Sequence, residues 1–263
     1  MTVATPARRL GGGAIVAHQL RYEQKSFWRN PAAAFFTIVF PLMFLALFGT
    51  LNKGQTLDYH GTTLSYDQYF VPSILTFGVM GACYTNLAMT LAGRRHDGQL
   101  KRKRATPLPA WAYMGGLIAS SVLVTLLLVA ITFAAGLTFF GIHVTGSRVP
   151  AMAVTIVLGA ATFCALGIAL QTFIPNADAA PAIVNATLLP LTFISGVWFP
   201  VPHGVLATIG GVFPVRHFVQ ALETATNGPG AGFGGADLAM LGLWLAVGLA
   251  VAVRRFRWEP GKR

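Results

Sequence analysis

The sequence predicts an all-α integral membrane protein with six transmembrane helices, an N-terminal amphipathic interface helix, and an outer re-entrant region between spans five and six. Charge is scarce: 263 residues hold 19 Lys and Arg and 8 Asp and Glu, or 10%, against about a quarter in soluble domains. Mean hydropathy is +0.62. The apolar residues gather into runs close to the roughly 20 residues that cross a hydrocarbon core. Residues 1–30 form a cytoplasmic N-terminus, 31–253 a single transmembrane domain, and 254–263 a basic cytoplasmic tail.

The first thirty residues contain no apolar stretch long enough for a signal peptide, so a retained N-terminus is expected. Within them, 14–31 sets Ile15, Leu20, Phe27 and Trp28 among His18, Arg21, Lys25 and Arg29. That mixture suits a helix in the membrane interface, ended at Pro31; a disordered basic leader is the alternative. Spans are expected at 31–51, 69–92, 111–141, 150–174, 180–200 and 236–253, with Pro41 and Pro190 inside two of them as expected kinks. The third begins at Trp111 and Tyr113, rings that favour the interface. Between the fifth and sixth spans, 199–235 is too apolar for a soluble loop and too broken by Gly and Pro to cross. Short helices dipping into the outer leaflet reconcile both facts.

Basic residues set the direction. The N-terminal segment has five, the 93–110 loop six and the tail five, so sixteen of nineteen share a side if both termini do. The positive-inside rule puts that side in the cytoplasm. The 93–110 loop could then serve as an orientation signal or a patch on anionic lipid. Nucleic-acid binding by its "KRKR" is disfavoured, because no stacking aromatics flank it.

All six His and every Lys and Arg lie outside the spans, and Asp237 is the one acid inside them, at an edge. Ion-coupled carriers usually need ionisable groups at membrane depth, so gradient-driven transport is disfavoured. Zinc-protease, nucleophile-elbow and phosphate-loop motifs are missing, which argues against an enzyme or an ATPase. Cys164 reads as a small packing residue, and so does Cys83. Uncharged polar residues do recur: Thr76, Cys83, Asn86 and Thr90 on span two, and Asn185, Thr192 and Ser195 on span five, each set at spacings that share a helix face. They either bond helices together or line a path for an amphipathic molecule.

"RRHDGQLKRKRATP" at 94–107 resembles the cytoplasmic loop of ABC-2 type exporter permeases, nearest the bacterial daunorubicin-resistance type. "FISGVWFPV" at 193–201 resembles that family's fifth-span ending, and "FPVRHFVQALE" at 213–223 its outer re-entrant helix. Lys103 departs from the pattern, standing where a hydrophobic residue is expected. The resemblance implies a bacterial inner-membrane exporter subunit without catalytic residues. A second permease subunit and separate ABC ATPase subunits would be its partners, and ATP and Mg would bind on the ATPase. It implies a substrate path lined by spans two and five. It also implies a coupling helix in which Gly98 sets the turn, Leu100 fills an ATPase groove, and Arg95, Lys101, Arg102 and Arg104 meet acidic surface. Asp97, Thr106 and Pro107 frame that helix, and Asp178 in "PNADAA" offers a second contact. Polysaccharide or lipid export is the near alternative, and a nucleotide-independent channel or scaffold the distant one.

Overall fold

The computed structural model describes residues 11–59, 62–106, 108–142, 144–201, 204–228 and 232–256, most of them helical. Helix α1 spans Gly12–Trp28, and the Asn30 side chain, accepting from Ala33 N at 3.2 Å, starts the next helix. This is α2, Pro31–Leu51. A π-helical segment at Phe35–Val39 sits just before Pro41, where the expected distortion falls. A hairpin that hydropathy does not predict comes next: β1 (Thr56–Tyr59) pairs antiparallel with β2 (Thr62–Ser65). Ser65 caps α3, accepting from Gln68 N at 3.3 Å.

Helix α3 runs Tyr66–His96, with a second π-helical segment at Gly81–Thr85. Short α4 is Gln99–Arg104. Helix α5, Ala110–Phe139, has 30 residues, about 45 Å at 1.5 Å per residue and longer than one crossing requires. Then come α6 (Val149–Gln171), α7 (Ala180–Ile194), α8 (Val205–Gly210), α9 (Pro214–Asn227) and α10 (Gly235–Arg255).

Among the described residues five helices, α2, α3, α5, α6 with the short turn before it, and α10, are long and apolar enough to cross a membrane. The fifth predicted span is shorter than drawn. Helix α7 ends at Ile194 after 15 residues, about 22 Å, because Gly196 turns the chain with φ +83° and Val197 N closes back on Thr192 O at 3.3 Å.

Helices α3 and α6 form the centre, and glycines set how closely their neighbours approach. A Cβ on Gly167 of α6 would lie 2.7 Å from the Tyr84 carbonyl oxygen, inside the α3 π segment. One on Gly159 would strike the Phe218 ring of α9 at 2.1 Å. Helix α10 lies along α6, where Thr162 Oγ1 donates to Leu241 O at 3.1 Å. Helix α9, within the expected outer region, is largely buried against α3, α6 and α10.

Candidate functional site

Two sets of contacts fix which ends of the helices lie together. Arg94, at the end of α3, reaches Glu23 of α1 and Tyr113 of α5. Arg95 next to it donates to Gln171 O at 3.1 Å, to Gln171 Oε1 and to Ile174 O, all at or just after the end of α6. The Arg255 guanidinium stacks on the Phe173 ring at 5.3 Å, so α10 also ends here. At the other end, Tyr69 near the start of α3 donates to Gly196 O beyond α7.

The 94–106 segment at the basic end is a built turn. Asp97 N donates to Gly93 O at 2.9 Å and Gly98 N to Arg95 O at 3.2 Å, which closes α3. Gly98 then takes the left-handed conformation, φ +66° and ψ 12°, which glycine adopts without the cost of a Cβ. The new helix is tied back to the turn, with Arg102 Nη2 donating to Asp97 O at 3.1 Å and Gln99 Nε2 to Asp97 Oδ2 at 3.2 Å. Thr106 Oγ1 ends it by donating to Lys103 O at 2.6 Å. Pro107 lies outside the described residues.

The structure divides the expected coupling residues into two groups. Lys101, Arg102, Arg104 and Thr106 are exposed on α4 and the turn after it, and Asp97 and Asp178 are also exposed. Leu100, expected to fill a partner's groove, is fully buried in the protein's own core and anchors α4. Arg95, expected to meet acidic surface, is 6% exposed. It acts as a clamp, holding the 172–179 turn that carries Asp178 beside the end of α3.

Behind the turn lies a network that sequence reasoning missed. Glu23 and Arg94 form a bidentate ion pair at 2.7 and 2.9 Å. Gln19 Nε2 donates to Glu23 at 2.6 Å, and Arg94 Nη1 donates to the Tyr113 hydroxyl at 3.0 Å. The Lys103 ammonium lies 4.7 Å over the Tyr113 ring, and burial pushes it below the usual lysine range. Lys103 is thus useful where an apolar residue was expected, because a cation can pack on an aromatic face. Helix α1 buries Gln19, Glu23 and Phe27 on one line and exposes His18, Arg21, Lys25 and Trp28, with Arg29 exposed just beyond its end. It packs along the first turns of α5, with Val16 against Gly115 and Gln19 against Gly116. The available signal was Glu23 itself, the one acid among the first 57 residues of a basic segment.

The seven predicted path residues have different surroundings. A π segment inserts an extra residue into the helical turn and rotates the residues beyond it by about 100°, so the stripe on span two is broken at 81–85. Thr76, before the break, is buried and donates to Pro72 O at 3.2 Å. Cys83, inside it, meets Thr125 Oγ1 of α5 at 3.3 Å. Asn86 and Thr90, after it, line a cleft of about 60 Å³ with Glu23, Arg94 and Ser120. On α7, Thr192 accepts from Trp198 Nε1 at 3.1 Å, and Ser195 just beyond is buried without a partner for its hydroxyl. Asn185 is exposed. Spans two and five do meet through a different pair, the Tyr84 hydroxyl and Thr187 Oγ1 at 2.7 Å.

A family model described as ABC-2 type transporter matches residues 17–225. The inner membrane transport permease YadH of Escherichia coli strain K12 is 28% identical over 188 residues, covering 66% of this chain and 70% of that protein. The protein of the same name from Shigella flexneri matches with the same figures. A long bundle of apolar helices closed at one end by a basic, hydrogen-bonded turn is the frame that this match covers. The chain belongs to the ABC-2 type transporter family, as a membrane permease.

Proposed function

We propose that this permease is the membrane-spanning subunit of an ATP-driven exporter, with α4 and the 172–179 turn as the docking surface for a separate ABC ATPase. The observation that carries this reading is the rigid turn at Gly98. It joins α3 to α4 without slack, while Leu100 and the Arg94–Glu23 pair lock this end to the bundle and leave Lys101, Arg102 and Arg104 exposed. A force applied to α4 would therefore tilt α3 and α5 instead of bending a loop.

The basic end lies in the cytoplasm by the positive-inside rule. The chain leaves that end through α2 and returns to it through α10, so it crosses an even number of times. Five long helices then need α7 and the turn beyond it as the sixth crossing. Its start is held near the basic end by Arg95 and its end near the other by Tyr69. Helices α8 and α9 form the outer re-entrant region. ATP and Mg bind on the ATPase, and a second permease subunit completes the path. The exposed face of α7 with Asn185 is the surface offered to that subunit. An amphipathic, drug-like or lipid-like substrate fits a bundle whose interior polar groups are mostly uncharged.

The test is to replace Asp97 or Gly98 and follow ATP-dependent efflux of an amphipathic dye together with membrane insertion. Insertion should be intact and efflux abolished. Normal efflux would remove the coupling assignment.

A further inference from the structure

At the basic end the last turn of α10 comes beside the turn that follows α6, and the two enclose a half-open cleft of about 530 Å³. Thr172, Arg254, Arg255 and Phe256 line it. Arg254 and Arg255 end α10, and both are exposed. The Arg255 guanidinium lies over the Phe173 ring, 5.3 Å from its centre. Such a contact fixes the plane of a guanidinium and leaves its N–H groups free at the edge.

Neither arginine is paired with a carboxylate among the described residues, Asp178 on the neighbouring turn included. The Thr172 hydroxyl is spent on Ala169 O at 2.7 Å, so the two guanidiniums set the charge of the cleft. Each is a planar fork of donors that matches the oxygens of a phosphate. The surroundings say what carries that phosphate. Helix α10 is the least buried of the five long helices, with 17% of its apolar stretch inside the bundle against 28% or more in the others. Leu249 and Val253, four residues apart and so on one line of the helix, are exposed just before the arginines, and Phe173 is exposed as well. A cationic cleft at the end of a greasy, uncovered helix is laid out as a phospholipid is, with phosphate above acyl chains. Basic clefts between spans on the cytoplasmic side are suited to acidic headgroups.

We propose that this cleft binds one anionic phospholipid of the cytoplasmic leaflet, its phosphate held by Arg254 and Arg255 and an acyl chain lying along α10 over Leu249 and Val253. Phosphatidylglycerol has this chemistry. Phosphatidylcholine has the same phosphate but cancels its charge with a bulky quaternary ammonium. Bound there, the lipid joins the end of α10 to the 172–179 turn, which Arg95 clamps from the α3 side. The assignment needs no ATPase partner and stands apart from the coupling role of α4.

The test is native mass spectrometry of the full chain, released from detergent micelles containing equal amounts of phosphatidylglycerol and phosphatidylcholine with identical acyl chains. One phosphatidylglycerol should be retained at least about tenfold over phosphatidylcholine, and Arg254→Gln with Arg255→Gln should erase that preference. Removing the same charge from α1, by Arg21→Gln with Lys25→Gln, should leave it intact. Equal retention of the two lipids by the unaltered chain overturns the proposal, as does a preference that survives the α10 changes. A preference that falls equally with the α1 changes also overturns it, since net charge alone would then be the cause. If the α10 double variant fails to fold, Phe173→Leu, which removes the ring under Arg255 and keeps both charges, should weaken retention by about threefold; unchanged retention would overturn the proposal. Two further outcomes name other occupants. Inorganic phosphate retained by the unaltered chain in place of lipid makes the cleft a site for a free anion. A co-purifying ATPase lost from the α10 variant while its phosphatidylglycerol stays assigns the arginines to the docking surface. Either result overturns the lipid assignment.

Discussion

The two ends of this bundle hold their polar side chains in different proportions of ion pairing and backbone bonding. At the basic end, charge is matched with charge: Arg94 is paired with Glu23, Gln19 and Tyr113 complete the network, and Lys103 rests on the Tyr113 ring. At the other end, side chains mostly serve the backbone. Arg148 donates to Thr226 O at 2.7 Å, Arg216 to Val201 O at 2.9 Å, Asn227 to Gln68 O at 2.9 Å, and Trp244 to Val212 O at 3.0 Å. The cause is the chain itself. Long helices satisfy their own carbonyls except at their ends. At the basic end Arg95 and Arg102 therefore serve the few carbonyls left at helix ends, while Arg94 is free to pair with a carboxylate. The broken helices between 195 and 228 expose carbonyls in apolar surroundings, where each needs a donor. On the proposed function the basic end transmits a load, while the other end accommodates irregular backbone.

Breaking the charge network should have the largest effect. Glu23→Gln leaves the partly buried Arg94 without its carboxylate and should cost about 3 kcal/mol, the low end for a fully buried pair, read as a shifted midpoint in detergent-titrated unfolding. Glu23→Leu combined with Arg94→Met should recover much of the loss, since apolar replacement of a buried pair is often near neutral. If the single variant is as stable as the parent, the network does not hold the basic end together.

Helix packing comes next. Gly167→Ala pushes a methyl group against the Tyr84 backbone of α3 and should cost about 1–3 kcal/mol in the same assay. Gly242→Ala, where a Cβ meets nothing within 4 Å, is the matched control and should be silent.

The smallest effect lies at the far end and depends on pH. His217 faces two acceptors, Asp237 Oδ1 at 2.7 Å from Nδ1 and Gly211 O at 2.8 Å from Nε2, an arrangement that a doubly protonated ring satisfies. The bond to Asp237 raises the His217 pKa above its usual value, against burial and the repulsion of Arg216. The stabilisation is therefore fully present below about pH 6.5 and is lost as pH rises through the raised folded value. About 1 kcal/mol or less is expected for so partly exposed a pair. His217→Gln should flatten that part of the stability–pH curve and leave the basic end unchanged.

The long helices are legible in the sequence because each is one uninterrupted apolar run, and α2, α3, α5, α6 and α10 all overlap the spans read from hydropathy. Helix α7 is overdrawn by hydropathy because the apolar run continues past Ile194, while the turn at Gly196 is set by backbone conformation that hydropathy does not register. The β1–β2 hairpin is four residues on each side, too short for a pattern. At the turn, the residue types are readable but their directions are not. A six-residue helix can face either way, and only packing turns Leu100 inward and sends Arg95 to the end of α6. The polar stripe on span two assumes an unbroken 3.6-residue period, which the segment at 81–85 interrupts.

The central claim, that α4 is where an ATPase engages, is tested most directly by purifying the chain from its native cells in mild detergent and quantifying what accompanies it. The account predicts a P-loop ATPase in stoichiometric amount, lost when Lys101, Arg102 and Arg104 are all changed to Glu while the permease still inserts and folds. An ATPase retained by that triple variant, or none accompanying the unaltered chain while other membrane complexes survive, would contradict it and return the basic turn to the role of an orientation signal.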